Sequence, residues 1–160
     1  MRRASLSLLV GVIALGACAE PVGTGAATSS VHPALASATV VTDVVSLVQP
    51  VGTYRRWTLV LTADPPGTAC ERIGAPLVSV DIYTIFESAP RGQIPLSRTP
   101  PPVVFPSAYV TLTDGAAMDG ALDIPLAAST GLIGTLDGQG VIDGVNQPIA
   151  ITFDAPTCAP

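Results

Sequence analysis

The 160-residue chain predicts an all-β fold, an antiparallel β-sandwich or small barrel, on three observations. Several short stretches alternate strictly between apolar and polar residues, the period of a sheet with one buried and one wet face. Sixteen prolines and fifteen glycines interrupt the chain too often to leave room for helices of ordinary length. Asp-Gly, a dipeptide suited to tight turns with positive φ, occurs at Asp114-Gly115, Asp119-Gly120, Asp137-Gly138 and Asp143-Gly144.

Taken in order, the first strand expected is Thr39–Val48, where valine is too frequent to favour a helix. Trp57, Leu59 and Leu61 then fall on one face, with Thr58, Val60 and Thr62 on the other. Val78, Val80 and Ile82 alternate with Ser79, Asp81 and Tyr83, and Ala108, Val110 and Leu112 with Tyr109, Thr111 and Thr113. Leu122, Ile124 and Leu126 form the next apolar face, and Ile149, Ile151 and Phe153 the last. Pro125 cannot donate to a neighbouring strand, which predicts an edge or a bulge. The stretch Pro95–Pro106 reads as an extended polyproline-type connection and not as a central strand. Five to eight short strands at this spacing suit a sandwich or a small barrel.

Upstream of these runs, residues 18–37 are small and polar, a composition that predicts a flexible tether. Residues 38–160 then form a single β domain. His32, the one histidine, falls in the tether, where nothing would hold it still enough for catalysis or metal binding.

At the amino terminus, Met1-Arg2-Arg3 precedes the uncharged stretch 4–19, which contains Leu15-Gly16-Ala17-Cys18. This is the layout of an export signal, and the stretch is shorter than the ~20 residues of a spanning helix. The last four residues resemble the lipobox of bacterial lipoproteins. That resemblance implies a signal peptide over 1–17, diacylglyceryl attachment at the Cys18 sulfur, cleavage before Cys18 and acylation, as with palmitate, of the new amino terminus. Firm membrane attachment would follow, since more than one acyl chain is needed for a lasting anchor. Ala19 following the cysteine implies sorting to the outer membrane. The ending Phe153-Asp154-Ala155-Pro156-Thr157-Cys158 is similar to the close of many uncharacterised bacterial lipoproteins and carries no activity to transfer.

With Cys18 given to lipid, Cys70 and Cys158 remain, and an exported domain favours a disulfide between them. All seven basic residues are arginines, against twelve acids. An acidic chain with no basic stripe excludes nucleic acid as a partner and gives no electrostatic hold on anionic head groups.

Chemistry is sparse. No Gly-x-Ser-x-Gly elbow occurs, the expected domain has no histidine for a Ser-His-Asp relay, and the absence of lysine removes Schiff-base and P-loop chemistry. Asp137–Gly144 brushes against calcium-loop patterns but has Val141 at position five, where an acidic or amide ligand belongs. Carboxylate pairs such as Asp81 with Glu87, or Asp64 with Glu71, lack a visible cleft. The expectation is a protein without catalytic residues, cofactor or metal: a lipid-anchored accessory of the cell envelope, structural or partner-binding. Its partner would be another envelope protein or a polysaccharide. The contact surface expected is the proline-rich segment 88–107 with Arg91 and Arg98, because variable loops on rigid scaffolds carry recognition. The alternative is a carbohydrate-binding module, with Tyr83 and Tyr109 on wet faces as a sugar platform.

Overall fold

A computed structural model describes residues 23–48, 51–66, 70, 75–85, 88–97, 106–112, 118–128, 130–142 and 144–158. Nine strands form one closed barrel: β1 (Ala26–Ser29), β2 (Ser37–Val48), β3 (Val51–Thr62), β4 (Val78–Ile85), β5 (Gly92–Ser97), β6 (Ser107–Leu112), β7 (Asp119–Ala128), β8 (Gly131–Ile142) and β9 (Val145–Cys158). The order around the ring is β1-β2-β3-β4-β6-β5-β7-β8-β9, with β9 returning to β1. Most pairings are antiparallel. Two short ones are parallel, β5 with β6 at Leu96↔Ala108 and β2 with β9 at Val40↔Thr157. Among the described residues, closure pairs both edges of the sheet, except that β2 beyond Val41 pairs only with β3.

The alternation in the sequence is what fills the barrel. Val40, Leu59, Val80 and Val110 form one rung across β2, β3, β4 and β6, and all four are fully buried. On the opposite wall Leu122, Leu136 and Ile151 form another, with Ile149, Phe153 and Ala155 beside them. Each such side chain contributes about 1.5–3 kcal/mol by leaving water. Trp57 lies inside, its indole N–H donating to Thr84 Oγ1 at 3.3 Å, so the one polar atom of the ring is satisfied.

Four departures from the sequence reading have physical reasons. First, the folded unit begins before residue 38. β1 comes from the expected tether and is held by backbone pairing with β9 from Ala26↔Asp154 to Ser29↔Ile151, while Ala27 and Leu35 are buried. Second, β5 includes Pro95 and Leu96 from the expected polyproline connection, paired with β7 and β6. Third, the register of β7 against β8 shifts between Asp123 and Leu126, the bulge expected at Pro125. The shift reverses the faces, so Leu126 points to solvent and Ala127 takes the buried place. Fourth, two of the Asp-Gly dipeptides are not turns. Asp119-Gly120 and Asp137-Gly138 lie within β7 and β8, and Gly120 stands opposite Gly138. A Cβ on Gly138 would overlap the Asp119 carbonyl oxygen, and one on Gly120 would overlap that of Asp137. Among the described glycines of these dipeptides, Gly144, at φ +77° between β8 and β9, serves a turn as expected. Asp114-Gly115 and Asp143 lie outside the described residues.

Candidate functional site

Tyr83 and Tyr109 do lie on the outer faces of β4 and β6, as the alternation requires. They do not form an open platform. Tyr83 is only 6% exposed, next to Arg56 on β3, which in turn stands opposite Asp43 on β2. Arg56 grips Asp43 through both arms, Nε–Oδ1 at 3.0 Å and Nη2–Oδ2 at 2.5 Å, and this hydrogen bond raises the already high guanidinium pKa. Burial pushes the Tyr83 hydroxyl above its ordinary value; the Asp81 charge adds to this and Arg56 opposes it. Asp81 accepts from Thr58 Oγ1 at 2.7 Å. These polar groups bond one another and hold the wall together, and burial of Tyr83 leaves half-buried Tyr109 without a second open ring beside it.

Arg91 is also occupied. Its Nη2 donates to the Ala127 carbonyl at 2.7 Å, strapping the start of β5 to the end of β7. Arg98 and the rest of residues 98–105 in the proline-rich segment, together with Glu71, Glu87 and Cys18, lie outside the described residues, and with them one member of each expected carboxylate pair. Cys70 and Cys158 form a disulfide with Cα atoms 5.3 Å apart. It pins the loop between β3 and β4 beside the outer side of β2. There Thr39 lies 3.9 Å from the Cys158 sulfur, and Ser37 bonds Thr62 at 2.9 Å. These outward hydroxyls are buried. His32 is held more firmly than a tether would allow: its N–H donates to Ser29 Oγ at 3.1 Å and its carbonyl accepts from Leu35 at 2.9 Å. Position alone supplies no chemistry. Among the described residues no group of three or more His, Cys, Asp or Glu could hold a metal ion.

The feature that the sequence did not disclose is an open groove of about 930 Å³ across the outer faces of β7, β8 and β9. Its walls include Asp119, Asp137, Gln139 and Gln147, and Gly120 and Gly138 also line it. A second trough of about 360 Å³ over β1, β8 and β9 is lined in part by Thr28, Thr135, Thr152 and Asp154. Thr28 and Thr152 share a hydrogen bond at 2.6 Å, and Thr24 donates to Asp154 at 2.8 Å. Carboxylates, amides and hydroxyls along a shallow strip can hydrogen-bond an extended polar molecule. The only sequence signal was the pair of Asp-Gly dipeptides, which resemble turns. No family model, no curated protein and no solved structure matches the chain.

Proposed function

We propose that this chain is a lipid-anchored, non-enzymatic β-barrel domain of a bacterial envelope, held on the outer membrane through acylated Cys18 and acting as a structural or partner-binding accessory. The observation that carries the reading is the Cys70–Cys158 disulfide. Such a bridge belongs to an oxidising compartment, and it uses two of the three cysteines, leaving the lipobox cysteine for acylation. The satisfied polar networks around Arg56 and Arg91 favour a scaffold over a catalyst. Mass analysis of the protein purified from its native envelope tests the anchor. An amino-terminal Cys18 carrying diacylglycerol and a further acyl chain supports it; an unmodified amino-terminal segment overturns it.

Polysaccharide binding is the second reading. It now rests on the groove of Asp119, Asp137, Gln139 and Gln147 instead of Tyr83 and Tyr109. A pull-down from detergent-solubilised envelope separates the two: one stoichiometric protein partner favours the accessory, retained peptidoglycan or polysaccharide the binding module.

A further inference from the structure

The register makes one wall of the outer faces of β7, β8, β9 and β1. Asp123, Thr135, Thr152 and Thr28 form one row across the four strands, and Asp137 stands beside Ala150 in the next. The residues between these rows, Leu136, Ile151 and Phe153 among them, are buried in the core, so the rows face outward. The two recesses abut on this wall. The larger reaches Asp137 and Ala150, and the smaller begins at Thr135 and Thr152. Together they run from Asp154 to Pro148 on β9, six residue steps or about 20 Å.

The wall carries charge of one sign. Asp119, Asp123, Asp137 and Asp154 stand on it, and residues 99–160 hold six aspartates and no lysine, arginine or histidine. Among the described residues the arginines are placed elsewhere and engaged: Arg56 grips Asp43 on the far wall, and Arg91 donates to the Ala127 carbonyl. An uncompensated row of carboxylates attracts cations and repels anionic polymers. Asp154 gives a second indication, independent of the charge count. Its Oδ2 accepts from Thr24, but its Oδ1 is buried with no hydrogen-bond partner among the described residues. A buried anionic acceptor left without a donor is costly, and a donor arriving in the recess removes that cost.

The lining between the carboxylates selects the kind of cation. Ile133, Pro148 and Ala150 are apolar, and the one aromatic residue of either recess, Phe153, is buried, so no ring is offered to the face of a sugar. Apolar ground flanked by carboxylates suits side chains with an aliphatic stem and a charged head, those of lysine and arginine. Asp137 is level with Ala150, four residues from Asp154, a separation of about 13 Å. Positions i and i+4 of an extended chain lie the same distance apart, on one face. We infer that this strip is the docking groove for an extended basic segment of a protein partner, whose cationic side chains meet Asp137 and Asp154. This rests on the partner-binding reading above and names the chemistry of that partner.

The test uses the full chain in detergent with its disulfide intact. The probe is a synthetic peptide with lysine at every second position and serine between, titrated by calorimetry at physiological salt. Asp137→Asn with Asp154→Asn should weaken binding about fivefold, the loss of two partly exposed charge pairs. Asparagine keeps an acceptor for Thr24, so the fold is left in place. Asp43→Asn with Asp64→Asn removes the same charge away from this wall and should change binding by less than about twofold. Equal weakening by the two pairs overturns the groove, because net charge alone then holds the peptide. Binding of a partly deacetylated chitin oligosaccharide, with none of the peptide, overturns it in favour of a polysaccharide. The envelope pull-down separates this failure from that of the reading beneath it. A protein partner held undiminished by the Asp137→Asn, Asp154→Asn bait overturns the groove alone. No protein partner on the unaltered bait overturns the partner-binding reading, and the groove with it.

Discussion

Replacing Cys70 with serine tests how much of the barrel's stability comes from one covalent link. The bond joins residues 88 apart, and closing a loop of that length removes about 4–5 kcal/mol of chain entropy from the unfolded ensemble. Cys70 is the better partner to change because it is exposed, whereas Cys158 is buried beside Thr39. Serine at 158 would add the cost of a buried hydroxyl to the effect sought. The assay is urea unfolding in detergent of the oxidised protein, Cys70→Ser, and the oxidised protein treated with reductant. With a slope of about 2 kcal/mol per molar urea, the midpoint should fall by about 2 M in both altered samples. Hydrogen exchange adds a local reading. The Thr157 N–H bonded to the Thr130 carbonyl should lose protection before the β3–β4 pair does, because the carboxyl end of β9 is what the bridge holds down. A midpoint change under about 0.5 M, roughly 1 kcal/mol, would refute the loop-entropy argument.

Other substitutions separate the forces in the wall. Gly138→Ala should destabilise by about 1–3 kcal/mol or more, because the new Cβ meets the Asp119 carbonyl oxygen of an adjacent backbone; thermal unfolding reads it. Asp43→Asn should cost under about 1 kcal/mol, since the pair with Arg56 is partly exposed on both sides, and the urea midpoint should barely move. Leu136→Ala, at the centre of a fully buried rung, should cost about 2–5 kcal/mol in the same assay. Tyr83 bears on alkaline stability. Its folded hydroxyl keeps its proton to higher pH than an unfolded tyrosine, so stability is complete below the unfolded value of 10.0 and falls as pH rises through the raised one. Tyr83→Phe should flatten that decline between pH 10 and the raised value, and an unchanged slope in urea midpoint against pH would count against burial as the cause.

How much the sequence disclosed depended on how each strand is stabilised. β3, β4, β6 and β9 bury one face and wet the other, so a period of two was written into them, and Leu59, Val80, Val110 and Ile151 point inward as expected. β1 was invisible because Ala26-Ala27-Thr28-Ser29 is held by backbone bonds from β9, an interaction that residue type does not record. β8 was invisible for the opposite reason. Its glycines at 131, 134, 138 and 140 answer to close neighbours: the Asp119 carbonyl at 138, the Asp123 carbonyl and the Phe153 ring at 134. Glycine chosen for a missing Cβ and glycine chosen for positive φ look the same in a sequence, and composition alone does not distinguish them.

That ambiguity also hid the candidate groove. Gly120 stands opposite Gly138 inside the β7–β8 ladder, and both line the groove. The aspartates before these glycines are then left on the rim of a concave strip, not at the tip of a turn. The tyrosine platform failed for a related reason. Alternation assigns a residue to the outer face, but exposure depends on what lies beside it, and Arg56 with Asp43 lies beside Tyr83.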